Sequence, residues 1–215
     1  TGVTPLIPNY DMLNLGIYAI ETFSKGPLEI EGGLRYDFRD LSTARFINNE
    51  LDESQLSYQN FTAFIGGVYF LSPTLTFSSN LGSAWRPPNV NELFSQGLHH
   101  GAAAVEIGDE NLNSEKSFKW VNSLEFSTTR SQLELTAYAN QINDYIYLNP
   151  TGEIFVSLRG TFNVYEYLQA DAFFYGVDLS GSHEFSDRMS GYFKGSIIRA
   201  KNTSENTYFP FIPSD

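Results

Sequence analysis

The apolar residues of this chain recur at every second position, a period that belongs to strands and not to helices. Between positions 28 and 38, Leu28, Ile30, Leu34, Tyr36 and Phe38 share one parity while Glu29, Glu31, Arg35 and Asp37 hold the other. Leu75, Phe77, Leu81 and Trp85 repeat the alternation against Thr74, Thr76, Ser78 and Asn80. Phe118, Trp120, Leu124 and Phe126 follow, then Leu133, Leu135, Ala137 and Ala139, then Val177, Leu179 and Phe185, with Met189, Phe193 and Ile197 a looser last case. Positions 61–70 are apolar on both parities, so the period does not assign their faces.

The connections sort these strands in space. Ser24–Gly26, Ser72–Pro73, Thr128–Ser131 and Ser186–Arg188 read as tight turns, and between them lie long connections at 40–57, 86–114 and 150–167. Short and long connections alternate, so the tight turns gather at one end and the long loops at the other. That is the layout of an outer-membrane barrel. The expected fold is all-β: an antiparallel meander of about eight long strands, part of a larger transmembrane β-barrel. Runs of about 11 to 14 residues suit a tilted bilayer crossing better than the usual ~5–6 of a soluble sheet. Tyr36, Phe38, Tyr58, Trp85, Trp120, Tyr145 and Tyr147 sit toward the long loops, and Tyr69, Phe70, Phe126 and Phe185 toward the turns, as two interfacial belts would.

Composition narrows the function. A formal net charge of −12 and no basic stripe argue against a nucleic-acid partner. The absence of cysteine removes disulfides, thiolate metal sites and cysteine nucleophiles. No G-x-S-x-G elbow, phosphate loop or H-E-x-x-H occurs, so the chain is not expected to be an enzyme. A soluble β-sandwich or propeller also alternates, but its tight turns do not stay at one end.

Two ordered motifs carry a resemblance. Trp85-Arg86-Pro87-Pro88 leads to Asn91-Glu92-Leu93-Phe94, and Gly108-Asp109-Glu110-Asn111-Leu112-Asn113-Ser114-Glu115 closes the same long connection. Together they resemble the TonB-dependent outer-membrane receptor family, with Glu110 and Ser114 standing where that family usually has proline. Asp171–Phe185, with its Tyr175-Gly176 pair before Asp178, and the segments 199–202 and 208–215 are similar to later parts of such barrels. The resemblance implies that residues 1–215 are a partial receptor barrel, with the plug domain and terminal strands outside it and Asp215 lying in an extracellular loop. It implies location in the outer membrane of a Gram-negative bacterium. It implies uptake of a scarce nutrient: an iron–siderophore, haem, cobalamin or a metal ion. The implied partners are outer-membrane lipid, a small-molecule or metal-chelate ligand, and the TonB energy-coupling complex through the missing plug region. A non-transporting barrel such as an adhesin, or a soluble carbohydrate-binding β-domain, are the alternatives.

The long extracellular loop at 86–114 is where ligand contact is expected, with Arg86, Asn89, Glu92, His99 and His100 as candidates. Pro87 and Pro88 force an extended exit from the strand. Positions 90–98 can form a short helix, capped by Asn89 ahead of Glu92 and ended by Gly97. Val90, Leu93, Phe94 and Leu98 give it one apolar face, so the loop is expected to fold down over the barrel mouth. Arg86 suits an anionic ligand or an ion pair. His99 and His100 are possible metal ligands, with Glu106, Asp109, Glu110 or Glu115 to complete a site. Neighbouring residues of an extended chain point opposite ways, however, so a packed or hydrogen-bonded role competes. Residues 108–115 offer many oxygens but lack the EF-hand spacing, and turn formation is the favoured use. His183, on the apolar parity, is expected at an interface. No cofactor is required; a transition metal would enter as cargo.

Overall fold

The computed structural model describes residues 5–47 and 50–209, the side chain of Ile47 excepted. Eight long strands run through it: β1 (Asn9–Lys25), β2 (Leu28–Ile47), β3 (Glu50–Ser72), β4 (Leu75–Arg86), β7 (Glu115–Ser127), β8 (Ser131–Ser157), β9 (Gly160–Ser186) and β10 (Met189–Asn202). A short helix α1 (Val90–Phe94) and two short strands, β5 (Gln96–His99) and β6 (Ala104–Ile107), lie between β4 and β7, and β11 (Thr207–Tyr208) follows β10. The main sheet has the order β1-β2-β3-β4-β7-β8-β9-β10-β11, antiparallel throughout, and among the described residues β1 pairs with β2 alone, so the sheet they form is open. The expected location of Asp215 lies outside the described residues.

The ladder register puts the apolar parities of different strands on one face. Leu28, Tyr69, Phe77, Leu124, Leu135 and Leu179 are successive cross-strand neighbours in a single row. The adjacent row, Glu29, Val68, Ser78, Ser123, Thr136, Asp178 and Ser196, looks the other way and is polar except for Val68. Ile17, Phe61, Trp120, Val177 and Ile197 are exposed on the apolar side. So wide an uncovered apolar face is unstable in water and matches a hydrocarbon phase. The register also resolves positions 61–70: Phe61, Ala63, Ile65 and Tyr69 share the apolar face, while Phe64 and Val68 face inward. Phe64 is apolar there because its ring lies over Gly33, where a Cβ would collide with it.

The four tight turns fall where expected, all at one end: residues 26–27, 73–74, 128–130 and 187–188. At the other end two expectations are corrected. Segments 40–57 and 150–167 are not loops. β2 and β3 stay paired up to Ile47 and Glu50, and β8 and β9 up to Ser157 and Gly160. The apolar residues of these extensions, among them Leu41, Leu56, Ile154, Phe155, Val156 and Val164, keep no clean alternation, so they give no hydrophobic period; pairing with the partner strand keeps the backbone extended. The strands are accordingly longer than the expected 11–14 residues: β3 has 23, and β8 and β9 have 27 each. About 9–11 residues cross a bilayer. The surplus stands beyond it.

β4 and β7 are short, with 12 and 13 residues. β3 pairs with β4 only from Phe64 onward, and β8 passes β7 beyond Asn143. The tall β2–β3 and β8–β9 hairpins therefore flank a notch above β4 and β7. The connection between β4 and β7 fills it.

Candidate functional site

This connection carries much of the buried apolar core. Val90, Leu93 and Phe94 of α1 pack with Leu112, with Leu41 of β2 and with Ile146 of β8; Ile7, Leu56 and Tyr167 close the cluster. Pro88 is fully buried where the chain leaves β4. Asn89 caps α1 in extended conformation, and its backbone N–H donates to the Glu92 carboxylate at 2.6 Å. The helix stops at Phe94 rather than at Gly97. Ser95 ends it, and Gly97 (φ +133°) belongs to β5. β5 and β6 form a hairpin, and β6 then pairs in parallel with residues 163–166 of β9. Backbone contact with the tall β8–β9 hairpin holds the tip of the excursion.

Residues 108–115 return along α1. The Gly108 N–H donates to the Ser95 carbonyl at 2.7 Å and the Asp109 N–H to the Glu92 carbonyl at 3.0 Å. A Cβ on Gly108 would lie 2.7 Å from backbone atoms of Leu93 and Phe94, so the close passage requires glycine. Asp109 accepts from the Asn111 N–H at 2.9 Å, which makes the oxygen-rich stretch a turn.

Among the polar contacts that fasten the excursion, three centre on charged side chains. At its base, Arg86 donates from Nε and Nη2 to Glu115 (3.0 and 2.7 Å) and from Nη1 to both oxygens of Glu92 (2.9 and 2.7 Å). Glu115 also accepts the Ile146 backbone N–H at 2.7 Å. Burial works against the Arg86 charge, but the hydrogen bonds and charges of Glu115 and Glu92 outweigh it and raise the guanidinium pKa above its ordinary value. On the β2–β3 side, Arg45 bridges Asp52 (2.9 Å) and Glu110 (2.7 Å) and lies over the Phe94 ring, 5.4 Å from its centroid. On the β9 side, His99 Nδ1 is 2.6 Å from Glu106, whose other oxygen accepts from the Tyr167 hydroxyl at 3.3 Å; Asn91 donates to that hydroxyl at 3.0 Å. The Glu106 side chain is 6% exposed and that of His99 47%. Burial, then the nearby Glu106 charge, raises the Tyr167 pKa.

The structure thus gathers Arg86, Asn89 and Glu92 into one network, places His99 in a second, and leaves His100 exposed in the β5–β6 turn. Among the described residues no group of three or more His, Asp or Glu side chains is placed to hold a metal ion. Arg45 and Tyr167, which tie the excursion to its neighbours, were not expected from the sequence. Both lie in stretches read as loops, and their partners are 65 and 61 residues distant along the chain. His183, expected at an interface, is exposed on the apolar face beside Phe185.

Comparison with known proteins agrees with this architecture. The copper transporter OprC superposes with a TM-score of 0.78 at 20% identity, over 95% of this chain and 31% of its own. The ferric yersiniabactin uptake receptor FyuA from Yersinia pestis gives 0.69 at 16% identity, over 95% and 30%. The FrpB iron transporter from Neisseria meningitidis (F3-3 variant) gives 0.65 at 16% identity, over 94% and 28%. The chain spans less than a third of each of these structures. At such identities the likeness is one of fold: a section of a larger barrel. A family model described as TonB dependent receptor-like, beta-barrel matches residues 2–215, and on that match the chain belongs to the TonB-dependent receptor β-barrel family.

Proposed function

We propose that this chain is part of the wall and external mouth of an outer-membrane receptor of a Gram-negative bacterium that takes up a scarce nutrient: an iron–siderophore, haem, cobalamin or a metal ion. The carrying observation is the single apolar face that runs across all eight long strands, with the tight turns at one end and the built excursion at the other. That face fits lipid, the opposite face fits an aqueous interior, and the excursion stands where an external ligand first meets the protein. The copper, iron and ferric yersiniabactin cargoes of the compared structures support uptake as the activity.

Within the excursion, His99 and His100 present imidazoles at its exposed tip. Arg86, Asn89 and Glu92 hold its base in shape, with ligand contact at the Arg86 edge. Energy comes from the TonB complex, acting through a plug region that belongs to the whole receptor and not to this section of wall. A transition metal enters as cargo. No resident cofactor is needed.

The test uses the full-length receptor in its own outer membrane. A strain with and without the gene is grown under limitation for iron, copper, zinc or cobalamin, with ferric siderophores, haem and the free metals supplied in turn. Receptor-dependent growth on one of them is expected, lost when the energy complex is deleted. Equal growth of both strains on the whole panel would remove the transport reading. Calorimetry with zinc on the receptor and on a His99→Ala/His100→Ala variant isolates the histidines; equal affinity in the two ends their role as metal contacts.

A further inference from the structure

At the short-turn end, the outward face carries side chains that barrel formation does not use. Ser131 and His183 are cross-strand partners of β8 and β9, with Ser131 Oγ 2.8 Å from His183 Nδ1. The imidazole meets the Phe185 ring edge-on, centroids 4.8 Å apart. On its other side the β10 partner is Gly191, which has no side chain to cover that flank. The turn after β7 carries Arg130, and the turn after β9 carries Asp187 and Arg188. These turns adjoin: the Arg130 carbonyl accepts from the Glu184 N–H at 2.8 Å, and Arg130 Nη2 stands 3.8 Å from Asp187. Arg130, Arg188 and His183 are all exposed. Glu184 has the opposite parity and looks inward. Two arginines against Asp187 leave these adjoining turns positive, in a chain whose net charge is −12.

We propose that Arg130, Arg188 and His183 form a binding site for the phosphodiester of an anionic phospholipid in the leaflet on the short-turn side. The inference rests on the membrane reading above, since it needs the apolar face to sit in lipid. Three independent features point to it. The group lies where the apolar face ends, with His183 one step nearer the turns than the cross-strand row of Phe126, Leu133 and Phe193, so acyl chains reach it from one side and water from the other. Two guanidinium groups on neighbouring turns match the planar, two-point recognition of phosphate oxygens. When the Ser131 hydroxyl donates to Nδ1, the neutral imidazole carries its proton on Nε2, the free donor toward a headgroup. The Asp187 carboxylate reaches Arg130 only at 3.8 Å with its side chain 97% exposed, a contact that an incoming phosphate displaces readily.

The test takes the full-length receptor into nanodiscs of phosphatidylethanolamine alone or mixed with phosphatidylglycerol. The readouts are the lipid retained in native mass spectrometry and the unfolding midpoint. Phosphatidylglycerol is expected to co-purify and to raise the midpoint. Arg130→Gln/Arg188→Gln should weaken retention about fivefold per arginine, and His183→Ala should weaken it further. Asp187→Asn should strengthen it, a gain that a misfolded variant cannot mimic. Retention indifferent to all three changes overturns the site. An equal rise in midpoint with inorganic phosphate in phosphatidylethanolamine discs overturns the lipid assignment in favour of a free-phosphate site. A wild-type receptor that enters discs without headgroup preference refutes this proposal alone; one that enters no disc refutes the membrane reading first.

Discussion

Arg86 and Glu115 are cross-strand partners, the last residue of β4 and the first of β7, and their side chains close a two-point ion pair at 3.0 and 2.7 Å. Everything between them is the excursion. The pair is therefore a clasp at its base, and Glu92 makes the clasp part of the helix that fills the notch. Glu115→Gln removes the charge that Arg86 grips and weakens the acceptor for the Ile146 N–H. The Arg86 side chain is 36% exposed, so the cost is on the order of 1–2 kcal/mol rather than that of a fully buried pair. Faster amide exchange over residues 87–114 of the full receptor is expected, with the barrel strands unchanged. Equal protection in variant and wild type would refute the clasp.

Gly108→Ala tests the return path. Its Cβ would press on the Leu93 and Phe94 backbone, which cannot rotate away as a side chain can. A loss of about 1–3 kcal/mol is expected, seen as new protease cleavage within 87–114. Gly26→Ala, in a tight turn with open space around it (φ +60°), should act on strand pairing and leave that cleavage unchanged.

Phe77 and Ser78 are neighbours on opposite faces of β4. Phe77→Arg puts a charge into the lipid face close to the turn that precedes β4, where the cost is about 1 kcal/mol and smaller than the roughly 2–4 kcal/mol of a mid-bilayer site. Ser78→Arg puts the same charge toward the interior. Assembly of the receptor in the outer membrane should fall for the first and hold for the second. The reverse order would mean that the faces are assigned the wrong way round.

Tyr167 gives the excursion an alkaline limit. Burial and Glu106 hold its pKa above the ordinary tyrosine value near 10. Between the unfolded and folded pKa values the unfolded state has lost the proton that the native state keeps. Stability from this group is thus complete below pH 10 and is lost as pH rises through the raised value. Amide exchange at residues 104–107 should quicken above pH 10, and Tyr167→Phe should flatten that dependence. An unaltered alkaline profile in the variant would sink the assignment.

What the sequence determined by itself was the wall. Leu28, Phe77, Leu124 and Leu179 stand on the correct face because a strand alternates sides with period two whatever its partners are, and the Gly26, Pro73 and Asp187 turns carry local backbone preferences that neighbouring residues reveal. The Asn89 cap was legible for the same local reason. What only the tertiary structure decided was the height of the hairpins and the seat of the excursion. Residues 40–57 and 150–167 mix apolar and polar side chains without a clean alternation, so hydrogen bonds to a partner strand define these strands where no hydrophobic period does. Arg45 meets Glu110, and Tyr167 meets Glu106, only because short β4 and β7 open a notch between two tall neighbours; contacts so distant in sequence are set by strand register, which no local spacing encodes.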